Sequence, residues 1–365
     1  MRRIRSEDGE TRIYIDPAGR LAVVNLTPTV ARQLEAVGFS SQGSAGWVPV
    51  PERSRRRDLG TLDVPEETLP GMAEADLWRL HDASPGASGS TSKLQVKLEL
   101  ARRLSRPCIL CHHRCRADRL RGEGWCRAPL GPSQADLVLH VREEVVGATL
   151  CVYLGPGCSH RCRFCTMHEL ISARPGPPIN TEALVRSMPR WKARGARSLT
   201  LIGGEPGIYV PWVLELALAE PDLPLVWNSN MYHIPEVGRL LAGVIDVYVA
   251  DFKFGNDRCA LRLAGTARYV EPVKANLRAA GADGTPLVVR HVVMPGHLDC
   301  CTWPVLRHLA RDLPDAPVHL MTYIPEWLGP QYGLDRFTRD EDLAGAARYA
   351  RTLGLTVRTT DGHTQ

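Results

Sequence analysis

Along the second half of the chain, short apolar runs alternate with longer stretches patterned for one-sided helices. The runs are "ATLCVYLG", "SLTLIGG", "LPLVWNS", "IDVYVADF", "PLVVRHVVMP" and "PVHLMTYIP". Runs this short, rich in β-branched residues and bounded by turn residues, read as strands buried on both faces. Between them, "TEALVRSMPRWKARG" and "YVEPVKANLRAAG" carry the helical period, the second ending on Gly281 as helices often do. A last helix, "DEDLAGAARYARTLG", precedes a short terminal strand, "LTVRT". Strand and helix in alternation predict a parallel sheet, and six such units predict an α/β fold with a partial (β/α)6, TIM-like barrel over residues 141–365. In barrels the working residues sit where strands end and loops begin.

The first part of the chain is patterned differently. "TRIYIDPAGRLAVVNLT" predicts two strands around a Pro-Ala-Gly turn, and "PTVARQLEAVGF" a short helix. Residues 1–80 are therefore expected to form a small α+β accessory unit. Residues 81–92, within "DASPGASGSTS", read as a flexible linker. A helix, "KLQVKLELARRL", opens a Cys-rich segment spanning 93–140. Nothing in 1–92 points to chemistry.

Composition narrows the picture. No apolar run approaches the ~20 residues of a spanning helix, and no secretory leader is visible, so the protein is expected to be soluble and cytoplasmic, without a membrane partner. The formal charge of +5 is modest, and the basic run at Arg55, Arg56 and Arg57 has no aromatic neighbours, which argues against nucleic acid. Eleven cysteines in such a chain point to metal or redox chemistry rather than disulfides.

The densest group is "CSHRCRFC", with Cys158, Cys162 and Cys165 directly after the first barrel strand. Three thiolates in a tight loop can hold three irons of a [4Fe–4S] cluster and leave the fourth open to a small ligand. Arg161, Arg163 and backbone N–H groups would offset the negative charge. A zinc site completed by His160 or His168 is the alternative; Gly155, Gly157 and Phe164 favour the cluster. A second group, Cys108, Cys111, Cys115 and Cys126, has enough thiolates to close a complete site.

C-x-x-x-C-x-aromatic-C after the first strand resembles the radical S-adenosylmethionine (SAM) superfamily. Gly203, Gly204, Glu205 and Pro206, in "LIGGEP" at the end of the second strand, resemble that family's Gly-Gly-Glu-Pro motif. The resemblance implies an iron enzyme in which the open iron binds SAM. An electron then cleaves SAM to a 5′-deoxyadenosyl radical, which abstracts hydrogen from a small-molecule or peptide substrate. It implies SAM contacts at Phe164, Gly203, Gly204, Glu205 and Pro206, and a reductant such as flavodoxin or ferredoxin. "VADFKFG", with Asp251 and Lys253, and "VRHVVMPG", with Arg290, are similar to SAM-site motifs of the pyruvate formate-lyase activating enzymes. In those enzymes the Lys helps hold SAM, the Asp serves a cation site and the Arg pairs with the SAM carboxylate. Asn228, where those enzymes have an acid, departs from the cation site.

The order of motifs over roughly residues 105–350 resembles the PflX-like relatives of these enzymes. That resemblance makes Cys108, Cys111, Cys115 and Cys126 an auxiliary iron–sulfur cluster ahead of zinc, with His112 and His113 as alternative ligands. Three readings compete: direct radical chemistry as an oxidoreductase or related enzyme, an activase that installs a glycyl radical in a partner enzyme, and a non-catalytic metal protein. The first is preferred. Cys259, Cys300 and Cys301 read as packed, inert thiols, with the vicinal pair as an alternative hydrogen-atom donor. His291, His319 and Tyr323 are candidates to face substrate, and a core position is the default for His319.

Overall fold

The structure, a computed structural model, describes residues 2–5, 12–15, 21–24, 48–52, 54, 59–86, 89–121, 124–133, 136–143 and 145–359. The helix expected over 28–39 and the basic run at Arg55–Arg57 lie outside them.

Strands β1 (Arg2–Arg5), β2 (Arg12–Ile15) and β3 (Leu21–Val24) form an antiparallel sheet in the order β1-β2-β3. The hairpin expected around the Pro-Ala-Gly turn is thus present, with one further strand before it. Strands β4 (Thr61–Leu62) and β5 (Thr91–Ser92) pair antiparallel. The segment expected as a flexible linker is tied down at several points. Gly86 exchanges backbone hydrogen bonds with Thr61, and Thr91 and Ser92 form β5. Ser92 then caps the helix Lys93–Leu104 through a reciprocal box with Gln95, which satisfies N–H groups the first helical turn leaves unpaired. The buried Lys97 on this helix donates to the carbonyls of Arg239, Leu240 and Ala242, which close the helix Pro235–Leu241 on the outside of the barrel. Residues 59–104 are therefore docked rather than tethered.

The large sheet has eight strands: β6 (Leu137–Glu143), β7 (Gly147–Leu154), β8 (Ser198–Gly203), β9 (Leu225–Ser229), β10 (Val247–Asp251), β11 (Leu287–Val293), β12 (Val318–Thr322) and β13 (Val357–Thr359). They lie in the order β13-β12-β11-β10-β9-β8-β7-β6. Every neighbouring pair from β7 to β13 is parallel, and only β6 runs antiparallel, against β7. All six expected units are present as β7–β12, β13 is the terminal strand, and the sheet is an open, partial barrel. The edge strand β6 was not foreseen, and it crosses the expected boundary between 140 and 141: Leu137–Glu143 belong to the barrel sheet.

Register explains how the barrel sorts its interior. Asp251 on β10 pairs with Arg290 on β11, which pairs with His319 on β12, while Val249 sits between Asn228 and Val288. Side chains alternate faces along a strand, so Asn228, Asp251, Arg290 and His319 share the face that carries Val226, Val247, Val249 and Val288. The valines pack with Val48, Val145 and Val146 at the opposite end from the polar row. The Val48 amide bonds the Val145 carbonyl, and Ser54 bonds Asp246. The N-terminal chain thereby plugs the bottom of the barrel and leaves its polar mouth at the carboxyl ends of the strands.

Candidate active site

A cavity of about 270 Å³ opens at that mouth, and residues of the cysteine loop and of its partner motifs line it. Cys158, Cys162, Phe164 and Cys165 come from the loop after β7, Gly203, Gly204 and Glu205 from the end of β8, and Asp251, Lys253 and Arg290 from the ends of β10 and β11. Pro206 is buried behind the wall, where it opens a short 3-10 turn.

The glycines have a packing reason visible only in the fold. Gly203 has a φ of +123°, and a Cβ there would lie 2.4 Å from the Leu154 carbonyl oxygen. A Cβ on Gly204 would lie 1.8 Å from the Gly157 carbonyl oxygen. The β8 end and the cysteine loop therefore abut backbone to backbone, an approach only glycine permits. Glu205 turns away from solvent and accepts from Ser229 Oγ (2.7 Å) and from the amides of Asn230 (2.9 Å) and Gly207 (2.8 Å). Burial pushes its carboxyl up to about 7 against those three donors. Its side chain locks the ends of β8 and β9 together.

Around the cysteine loop, the amide of His160 points at Cys158 Sγ (3.4 Å) and Asn230 Nδ2 reaches it at 3.8 Å. Burial pushes the Cys158 thiol well up and the Cys162 thiol up to about 12, the latter opposed by Lys253. Buried thiols that are poor acids by themselves, surrounded by N–H donors and a cation, suit sulfurs held as thiolates by a bound metal. His160 bonds Thr266 Oγ1 through Nδ1 (2.8 Å), packs between Tyr232 and Tyr269, and burial holds it down at about 3. His168 stacks on Trp327 and bonds the Cys165 carbonyl. Neither joins the triplet in a single-ion constellation among the described residues.

The charged row is internally paired. Arg290 Nε donates to Asp251 Oδ1 (2.9 Å) and Nη2 to Asn228 Oδ1 (2.6 Å), while Lys253 Nζ donates to Asp251 Oδ2. Burial pushes the Asp251 carboxyl up, but Arg290 and Lys253 outweigh it and hold it at about 2. Asp251 is thus the anion that keeps two buried cations at the cavity wall. Asn228 serves the guanidinium as a neutral acceptor, where an acid would add a second negative charge.

Of the candidates to face substrate, His319 and Tyr323 line the cavity and His291 does not. His291 is buried between the Phe252 carbonyl (2.8 Å) and Thr302 (3.0 Å). His319 is buried as expected while lining the cavity, and His291 is buried in the core away from it. Strand alternation holds the signal: with Arg290 facing the cavity, its neighbour must face away. Cys300 and Cys301 do not line the cavity either, which removes them as hydrogen donors within it.

The other cysteine group leans directly on the cavity loop. The amide of Cys158 donates to the Cys126 carbonyl (3.3 Å), and a Cβ on Gly157 would meet that same oxygen at 2.5 Å. His113 Nε2 and Trp125 Nε1 both bond the Ser159 carbonyl. Burial pushes the Cys111 thiol up to about 12, and the neighbouring Cys108, Cys126 and Cys115 add to it. The four thiols are close enough to feel one another, yet they do not meet within the 4.8 Å of a single-ion site. His112 and His113 pack against Tyr232 and join no such site among the described residues.

The chain is similar to several known proteins. The uncharacterized protein MJ0674 of Methanocaldococcus jannaschii is 29% identical over 311 residues, covering 79% of this chain and 91% of that protein. A radical SAM methyltransferase from Sphaerobacter thermophilus is similar in structure, with 18% identity over 61% of this chain and 68% of that one, at a TM-score of 0.47. SuiB of Streptococcus suis, solved with S-adenosylmethionine bound, is 15% identical over 58% of this chain at a TM-score of 0.46. The match spans about half of SuiB's length, 51%. Residues 152–309 match the Radical SAM superfamily. The matched stretch takes in β8–β11 and the cysteine loop.

Proposed function

We propose that this protein is a radical SAM enzyme that cleaves S-adenosylmethionine reductively and takes a hydrogen atom from a small-molecule or peptide substrate. One observation carries the reading: Cys158, Cys162 and Cys165 line the same cavity as Gly203, Gly204, Lys253 and Arg290. A [4Fe–4S] cluster bound there supplies the electron that breaks the sulfonium C–S bond. The chain's part is binding, orientation and exclusion of water. Cys158, Cys162 and Cys165 hold the cluster, with the His160 amide and Asn230 stabilising sulfur charge. Arg290 and Lys253, kept cationic by Asp251, hold the carboxylate end of SAM. Phe164 sits edge-on to Phe254 and Tyr323, an aromatic wall that keeps this side of the cavity dry.

Cys108, Cys111, Cys115 and Cys126 hold an auxiliary iron–sulfur cluster on this reading. Among the described residues they do not gather into a single-ion constellation, which suits a multi-iron centre. Contact of Cys126 with the Cys158 amide suits a relay from a reductant such as flavodoxin or ferredoxin, which the exposed Cys115 leaves room to approach. The motif order resembles that of the PflX-like relatives of pyruvate formate-lyase activating enzyme. The auxiliary group packed on the cavity loop favours chemistry on a substrate over activation of a glycyl radical enzyme, which has no need of a second centre there.

The test is anaerobic reconstitution with iron and sulfide, then reduction in the presence of SAM. Formation of 5′-deoxyadenosine by the cluster-loaded protein is the expected result. A loaded protein that forms none under reduction refutes the enzyme reading and leaves a structural metal protein.

A further inference from the structure

A second set of metal-binding atoms lies outside the cavity, on the loops that follow β10 and β11. One ligand atom each from Cys259, His297, Cys300 and Cys301 lies within 4.8 Å of all the others, the only such group among the described residues. Cys300 Sγ is 3.7 Å from Cys259 Sγ and 4.0 Å from Cys301 Sγ. His297 Nδ1 faces all three sulfurs, at 3.2 Å from Cys300, 3.6 Å from Cys259 and 3.9 Å from Cys301. A tetrahedral zinc with Zn–S of about 2.3 Å and Zn–N of about 2.0–2.1 Å sets its sulfurs about 3.8 Å apart and its sulfur and nitrogen about 3.5 Å apart.

Local structure delivers each donor. Asn256 caps the helix Asp257–Ala264, accepting from the Cys259 amide, and sets Cys259 in its first turn. A single π turn, Leu298–Thr302, precedes the helix Trp303–Asp312. It rotates each residue less than an α turn does, which brings the consecutive Cys300 and Cys301 toward one side. The Asn256 amide donates to the Cys300 carbonyl (2.5 Å) and points at Cys259 Sγ (3.3 Å), an outer partner of the kind that orients metal ligands. A Cβ on Gly255 would meet the Cys301 carbonyl at 2.6 Å, so a glycine there lets the two loops close.

We propose that Cys259, His297, Cys300 and Cys301 form a closed, structural zinc site that fastens the loop after β10 to the loop after β11. Zinc enters as the dication and the three thiols release their protons; no electron is transferred. The full shell leaves no position for a substrate, so the site acts by position. It braces the two loops that follow Lys253 and Arg290 at the cavity wall. The proposal stands independently of the SAM reading.

The test uses the full chain purified without oxygen, stripped with a chelator and loaded with Co(II) as a spectroscopic zinc substitute. The expected result is the visible absorption of tetrahedral, thiolate-bound cobalt, smaller by one cobalt equivalent in Cys259→Ser and in His297→Ala. His297 is only half-buried, so its replacement spares the fold, which circular dichroism of the stripped protein checks. Zinc added back raises the melting temperature of the wild type and not of His297→Ala. A cobalt spectrum unchanged in both variants, no cobalt bound, or a Cys259–Cys300 disulfide in the anaerobic protein overturns the proposal.

Discussion

Cys158, Cys162 and Cys165 stand around an open cavity without converging on a point, whereas Cys259, Cys300 and Cys301 close with His297 on one position a few residues beyond the same barrel mouth. The first set occupies one eight-residue loop, and the second is assembled from two loops some forty residues apart in sequence. Spread thiols suit a multi-iron centre with one corner left open; convergent ones suit a single ion with its shell complete. Open geometry invites a ligand, and closed geometry fixes a scaffold.

The sharpest way to break this comparison is at the open set. Cys158→Ala, Cys162→Ala and Cys165→Ala each abolish 5′-deoxyadenosine formation; turnover retained in any one removes that residue as a ligand. Next in size is the ion triad that both neighbouring loops support. Asp251→Ala leaves the partly buried Lys253 and Arg290 without their anion and costs up to about 3 kcal/mol, read from the urea midpoint of the metal-free protein. A midpoint within error of wild type would show that the cations find solvent. Gly204→Ala forces the Gly157 carbonyl to move and costs about 1–3 kcal/mol in thermal melts. The smallest effect on cleavage is at the auxiliary group: Cys111→Ala lowers iron content while 5′-deoxyadenosine still forms. Complete loss of that product would make the group part of the primary site.

Much of the site was legible because its residues end strands. Cys158, Gly203, Asp251 and Arg290 follow apolar runs whose parallel pairing puts all their ends on one mouth, so sequence position translates into spatial proximity. The pairing of Arg290 with Asp251 was less legible, since a guanidinium at a strand end reads equally well as a ligand group. The resemblance implies SAM contacts at Gly203 and Gly204; what a side chain there would meet first is the protein's own backbone. The edge strand β6 hides because an antiparallel partner breaks the strand–helix alternation used to find the others. The linker expected at 81–92 is held by hydrogen bonds to β4, which composition does not register.

By itself, the sequence determined the strands, their parallel order and the cysteine loop with its partner motifs. Each of these is a local pattern, of period two, period three to four, or close spacing, and local patterns survive without the fold. Only the tertiary structure decided that Val48 plugs the barrel, that Asp251 neutralises two cations, and that Cys259 meets His297, Cys300 and Cys301. Those contacts join segments far apart in the chain. Their energies depend on distance and burial, which no stretch of sequence carries until the strands between them have paired.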